Sequence, residues 1–331
     1  MTHTTSRRHR RGVVRGAVLA LAGISIAGLG AAPAAAADAG HDGDVSPMIV
    51  GGEPAPVAYA GIGSLQKPTK GFPDWHTCGV ARISEKFALT AAHCVSTPPA
   101  AALDRAGKQG DAAWRALQMS APTARGDQQS QPDPSDPAQY RIRFESTNRF
   151  FGGVTRGVRT ITLPQKWGWG EPDKDGKIWD IALLELDRPV KTGRPGLVGI
   201  PRDGTPALEI GWGMHTPNPA DWGAPTPAQL MQLRVPITTP ADCAAAGIGA
   251  AEICLGTAPN GGTACVGDSG SGAIQRYGRE WVVVALASRS LTQACVSPTV
   301  YTEIAPYGGW IIREALKRGE WIAQADLTVA Q

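Results

Sequence analysis

Apolar residues along this chain come in short runs, not long stripes. Ala60 to Leu65, Cys78 to Thr90, Tyr140–Phe144, Val158–Leu163 and Ile178–Leu186 read as strands of a half-buried or buried kind. A second series follows at Ala207–Trp212, Gln229–Ile237, Ala273–Arg276, Trp281–Ala287 and Thr299–Ile304. Between the series, residues 187–206 hold Pro189, Pro195, Pro201 and Pro206, which predicts a linker between two halves. The last segment, Tyr307 to Arg318, has helical spacing instead. Trp310, Ile311, Ala315 and Leu316 share one face and Gly319 ends it. Residues 96–139 fit neither pattern. Pro98-Pro99 and the run Gln128 to Pro137 predict a long surface insertion, with a helical stretch over Ala101–Leu117.

Composition agrees with many short strands. The 331 residues allow one large or two modest domains and a sizeable core. With 41 Gly and 27 Pro, about one residue in five punctuates the chain, which disfavours long helices. The net charge of +3 is concentrated at the start: residues 1–48 carry five Arg and three Asp, leaving 27 basic against 26 acidic residues. No basic stripe remains in the body, so nucleic acid is not an expected partner.

The N-terminus carries an export address. Arg7, Arg8, Arg10, Arg11 and Arg15 precede an apolar stretch from Ala17 to Leu29, and Ala31 to Ala37 offer small-residue cleavage sites. This layout predicts a signal peptide over residues 1–37, too short and too rich in Gly and Ala for a membrane span. Residues 38–48 then read as a pro-segment, and the mature chain as secreted. All six cysteines, Cys78, Cys94, Cys243, Cys254, Cys265 and Cys295, follow the signal. An even count in an exported chain predicts disulfides, with 15 pairings open to it. No Cys-x-x-Cys or His-x-x-x-His spacing supports a metal, and no cofactor is expected.

Three strings carry candidate chemistry. In Leu89-Thr90-Ala91-Ala92-His93-Cys94, a histidine follows a strand in a small-residue turn beside a cysteine. In Trp179-Asp180-Ile181-Ala182-Leu183-Leu184, Asp180 opens an apolar run, and a partly buried carboxylate there needs a donor such as an imidazole N–H. In Cys265-Val266-Gly267-Asp268-Ser269-Gly270-Ser271-Gly272, glycines allow a sharp turn and close approach of a substrate. The amides of Gly267 and Ser269 are free there to face a developing oxyanion.

Together these strings resemble the chymotrypsin/trypsin-like serine peptidases. The matching residues are Ile49-Val50-Gly51-Gly52, Thr90 to Cys94, Asp180 to Leu184, Gly211-Trp212-Gly213, Gly267-Asp268-Ser269-Gly270 and Val300-Tyr301-Thr302. They fall in the order His, Asp, Ser. An α/β-hydrolase needs a His after the Ser, and the last one here is His215. The resemblance implies an all-β fold of two Greek-key antiparallel six-stranded barrels, over 49–190 and 191–331, with the site between them and a C-terminal helix. It implies Ser269 as nucleophile, His93 as base, Asp180 as its orienting partner, and Gly267 and Ser269 as the oxyanion hole. It implies disulfides Cys78–Cys94, Cys243–Cys254 and Cys265–Cys295, and a bond from Ser288 to Asp180. The implied partner is a protein or peptide substrate, with no membrane insertion and a monomeric enzyme.

The substrate pocket then comprises Thr263, Ser288, Ser290 and Thr299. Thr263 at the floor is not acidic, and Ser290 and Thr299 narrow the walls, so cleavage after small or medium uncharged residues is expected. Arg289 replaces a usual Trp and offers a cation to an acidic substrate residue. The resemblance also implies cleavage after Met48, which frees the amine of Ile49 to pair with Asp268, although Met48 stands where a basic residue is usual. Two other functions share the sequence: a catalytically silent binding module, whose mark is a lost triad residue, and an esterase on the same triad.

Overall fold

The computed structural model describes residues 49–68, 71–98, 133–216, 218, 226–292 and 294–322, with Met1. The signal peptide, the pro-segment and the helical stretch expected within the insertion lie outside them.

Six strands close the first barrel: β1 (Ile62–Gln66), β2 (His76–Arg82), β3 (Phe87–Thr90), β4 (Arg141–Phe144), β5 (Val154–Thr162) and β6 (Ala182–Leu186). Their order around the barrel is β1-β2-β3-β6-β5-β4. The apolar run from Cys78 to Thr90 is a hairpin, not one strand. Ser84 Oγ accepts the amides of Lys86 and Phe87 and turns the chain between β2 and β3. Leu65, Val80, Ala88, Ile142, Phe144 and Leu184 fill the interior, each stabilising by ~1.5–3 kcal/mol for the larger side chains. One register sets up the site. β3 runs antiparallel to β6 from Phe87 opposite Glu185 to Thr90 opposite Ala182, so the ends leading to His93 and from Asp180 leave the barrel side by side.

The second half is a nine-stranded sheet. Its named strands are β7 (Ala207–Gly211), β8 (Met231–Val235), β9 (Ile237–Thr238), β10 (Glu252–Leu255), β11 (Gly272–Tyr277), β12 (Glu280–Ser290) and β13 (Thr299–Glu303). The path runs from Glu53–Pro54 through β8, β7, β11, β12, β13 and β10 to β9, with Leu197–Val198 paired parallel to β12. β10 was not foreseen, because Glu252 and Cys254 interrupt its apolar pattern. The expected linker contributes Leu197–Val198 to the sheet. Where β12 meets β13 the register shifts between Ala287 and Arg289, making Ser288 an extra residue. Such a bulge re-aims a side chain.

The helix α1 (Gly308–Leu316) buries Trp310, Ile311 and Ala315 in a cluster with Ile62, Phe87, Trp212 and Leu286, which come from both halves. Leu316, expected on the same face, is exposed. The ends of the 96–139 insertion are tied together by pairing of Ser96–Thr97 with Asp133–Pro134. Among the described residues, no helix is long and apolar enough to cross a membrane.

Candidate active site

His93 stands in a 3-10 turn, Ala92–Val95, immediately after β3. The disulfide Cys78–Cys94 ties this turn to β2. A closed loop of that size stabilises by roughly 3 kcal/mol in the chain-entropy model. It also holds the imidazole against Asp180. Nδ1 of His93 lies 2.8 Å from Asp180 Oδ2, and the His93 amide donates to Oδ1 at 3.0 Å. Ser288 Oγ, delivered by the bulge in β12, donates to Oδ2 at 2.7 Å. Both partners are almost fully buried. Burial opposes ionisation of Asp180, yet the His93 ring and amide beside it, with the Ser288 hydroxyl, hold its carboxyl below the usual range. A carboxylate at Nδ1 places the proton there, so Nε2 carries the lone pair, and Nε2 has no partner among the described residues.

The loop bearing Ser269 is fixed from both halves. The Gly79 amide of β2 donates to Ser269 O at 2.8 Å, and the Gly270 amide donates to Ala287 O at 2.7 Å. Gly270, at φ 73°, leaves no room for a side chain: a Cβ would sit 2.2 Å from Thr90 Oγ1 and 2.9 Å from the Ala91 amide. This packing brings the Ser269 turn against the strand end that leads to His93. Within the turn, Asp268 N donates to Cys265 O and Ser271 N to Asp268 O. The amides of Gly267 and Ser269 take no part in these bonds. Gly267 is left-handed at φ 97°, a conformation open to glycine at little cost.

One residue of this assembly escaped the sequence reading. His76 Nε2 donates to Gly267 O at 2.9 Å, and Ser64 Oγ lies 2.8 Å from its Nδ1. Burial and the charge of Arg149 push this imidazole down to about 3, so it is neutral and fixes the Gly267 peptide as a donor. Its signal in the sequence was only a histidine two residues before Cys78.

The disulfides Cys265–Cys295 and Cys243–Cys254 hold the loops of the second sheet. Among the described residues, Cys78, His93 and Cys94 group closely enough for a metal, but their two sulfurs are bonded to each other and offer no thiolate.

The expected pocket residues come together in part. Thr263 and Thr299 are buried, with their hydroxyls 2.8 Å apart. Ser290 is half-buried and pairs opposite Thr299 in the sheet, whereas Ser288 is turned to Asp180. The floor is not without an acid. Glu209 of β7, fully buried, lies with Oε1 3.5 Å from Thr263 Oγ1. Arg289 does not serve an acidic substrate. Its guanidinium meets Glu252 at 2.7 and 2.8 Å and holds the carbonyls of Ala246 and Gly247. That bidentate pair is buried on both sides.

Ile49 and Asp268 are both buried. Ile49 packs with Met231, Ala258 and Ala264, and Asn260 Nδ2 donates to Gly51 O beside it. Asp268 accepts the amides of Gly213 and Cys265 at 2.8 and 2.9 Å. Burial still pushes its carboxyl up to about 7.

Comparison with known proteins agrees with this geometry. The trypsin family model matches residues 137–311. A trypsin of Tyrophagus putrescentiae, Tyr p 3.0101, is 27% identical over 271 residues, covering 77% of each chain. Serine protease 1 of Rattus norvegicus is 32% identical over 143 residues, covering 40% of this chain and 54% of its own.

Proposed function

The chain belongs to the trypsin family and is a serine-type endopeptidase, and from that premise we propose that it cleaves protein substrates through an acyl-enzyme on Ser269. The observation that carries the assignment is the His93–Asp180 pair at 2.8 Å, with the Nε2 lone pair unpartnered among the described residues. His93 takes the Ser269 proton as Oγ attacks the scissile carbonyl. It returns that proton to the leaving amine, and then activates water for deacylation. Asp180 keeps the tautomer and stabilises the imidazolium. The amides of Gly267 and Ser269 receive the oxyanion, and removal of one such donor costs ~10²–10³ in kcat. Taken alone, Thr263 and Thr299 form a neutral floor that favours small or medium uncharged residues before the scissile bond. An esterase activity on the same groups is the second reading, since both reactions pass through an acyl-enzyme.

The enzyme is exported on the segment 1–37 and matured by cleavage after Met48. Two observations support maturation. Asp268 is an acid with no cation bonded to its carboxylate among the described residues, and burial disfavours its charge. Ile49, a β-branched residue, is held at φ 52° in the intact chain, a conformation costing about 1–3 kcal/mol. Cutting before Ile49 releases that constraint and creates the ammonium that Asp268 lacks. A peptide-library cleavage assay on the secreted form, with matched ester substrates and N-terminal sequencing, tests these points together. Cleavage of peptides by a chain beginning at Ile49 is expected. Turnover of esters alone overturns the peptidase reading, and full activity with Met48–Ile49 intact overturns maturation.

A further inference from the structure

The acyl-transfer scheme leaves Arg289 unused, a buried cation standing where a Trp is usual. It follows Ser288 at the bulge in β12, where consecutive side chains need not diverge to opposite faces as they do in a regular strand. Arg289 Nη1 donates to Ser288 Oγ at 3.1 Å, and Ser288 Oγ donates to Asp180 Oδ2 at 2.7 Å. The rest of the guanidinium is occupied. Nε donates to Ala246 O at 2.7 Å, Nη2 to Gly247 O at 2.9 Å, and Nη1 and Nη2 to the two oxygens of Glu252 at 2.7 and 2.8 Å. Its five N–H donors thus meet five acceptors, four of them on the segment 246–252. Glu252 is anchored in turn by the Gly249 amide, which donates to Oε2 at 2.7 Å, and the disulfide Cys243–Cys254 closes this segment.

We propose that Arg289 is a positioning residue for the catalytic pair, which acts through Ser288 to fix the hydroxyl donor on Asp180. The inference rests on the reading of His93, Asp180 and Ser269 as the triad. A serine hydroxyl has one proton and can turn it toward any acceptor in reach. A guanidinium has only protons to give, so the Ser288 oxygen accepts from Arg289 and its own proton is left for Asp180. That proton reaches Oδ2, the oxygen that also meets His93 Nδ1. The carboxylate is held in one orientation with part of its charge satisfied, and the imidazole is held with it. Glu252 offsets the charge of Arg289 at contact distance, so the influence of the cation passes through the bond to Ser288 more than through space. The chain Glu252–Arg289–Ser288–Asp180–His93 ties the disulfide-closed loop of the second sheet to the base of the first barrel.

Tyr307 also neighbours this chain, and its hydroxyl donates to Ile178 O at 2.6 Å, two residues before Asp180. Burial and the carboxylates of Glu252, Asp180, Asp173 and Glu303 push its phenol up, so it stays neutral and adds no charge of its own. Removing the donor on Oδ2 leaves more negative charge facing His93. Protonation of the base is then favoured, and the acid limb of kcat/KM moves to higher pH. A loosened imidazole lowers kcat besides.

The test is steady-state kinetics of the mature enzyme across pH with one peptide substrate. Glu252→Gln combined with Arg289→Met removes both charges of the buried pair and keeps their volume, an exchange that leaves stability roughly unchanged. The Gln retains an oxygen for the Gly249 amide. In this double variant kcat should fall about tenfold, the scale of a hydrogen bond to a charged group, with KM little changed. The acid limb should rise by about half a pH unit or more. Ser288→Ala should do the same, and adding the charge-pair change to Ser288→Ala should lower kcat no further. If the charge-pair change leaves kcat and the limb in place while Ser288→Ala moves them, Arg289 is structural and the proposal falls. If the two changes are additive, the influence does not pass through Ser288 and the proposal falls as well. Unchanged kinetics in Ser288→Ala overturns it even where the charge-pair variant fails to fold. The triad reading falls on a different result, a loss under about tenfold for Asp180→Asn, and takes the proposal with it.

Discussion

Asp180 and the pair Glu209 and Asp268 are buried acids within one molecule, with opposite fates. Asp180 lies where the first barrel meets the second sheet, and it has a histidine and a serine hydroxyl on one oxygen. Its carboxyl is held below the usual range. Glu209 accepts the amide of Ala264 and Asp268 those of Gly213 and Cys265, and the charge of Asp268 acts against that of Glu209. Both are pushed up, to about 8 and about 7. Burial is the same in the two places. The difference is the set of side-chain donors: Asp180 has an imidazole and a hydroxyl on one oxygen, and Asp268 has backbone amides alone among the described residues.

The largest effects should come from the partnered acid and the groups it orients. Ser269→Ala and His93→Ala should each lower kcat roughly a millionfold, with the double variant scarcely worse. Asp180→Asn, which keeps the shape and spoils the tautomer, should cost about ten-thousandfold. Steady-state kinetics with one peptide substrate reads all of these, and a loss under tenfold for Asp180→Asn removes it from the mechanism.

Arg289 and Glu252 give the contrast of a buried acid satisfied inside the fold. Arg289→Ala should destabilise by about 3–5 kcal/mol in urea unfolding, because Glu252 is left buried and unpaired. Preference for acidic substrate residues should not change. A change in that preference would return Arg289 to the substrate.

A smaller effect should separate the unpartnered acids by pH. An acid whose folded pKa is raised contributes stability that is present below its unfolded value, near 4, and is lost as pH rises through the folded value. For Asp268 the window runs from about 4 to about 7. In the intact chain carrying Ser269→Ala, added Asp268→Asn should therefore gain stability relative to its parent across that window, at up to about 1.4 kcal/mol per pH unit. The gain should shrink once the chain begins at Ile49. A difference that is flat in pH would show that Asp268 already has a cation. Replacing Cys78 and Cys94 by Ser should cost roughly 3 kcal/mol and lower kcat as the His93 turn loosens.

Much of the site could be read from the chain because it rests on local strings. His93 follows β3, Asp180 leads into β6 and the turn around Ser269 leads into β11, and short apolar runs marked those strands. What escaped reading depends on register. The bond from Ser288 to Asp180 was expected from the resemblance, but the bulge that delivers it, an extra residue in β12, was not. His76 reaches Gly267 across 191 residues of sequence. Glu209 passed unnoticed because it reaches Thr263 from β7, 54 residues away in sequence. Arg289 was misread because its partner Glu252 sits on a strand, β10, that the apolar pattern did not reveal.

The most direct test of the central claim is covalent. A fluorophosphonate, which phosphonylates an activated serine and mimics the tetrahedral intermediate, should label the mature enzyme once. Mass spectrometry should place the label on Ser269, and His93→Ala should all but abolish it. Labelling of another serine, or full activity in an enzyme that takes no label, would contradict the account.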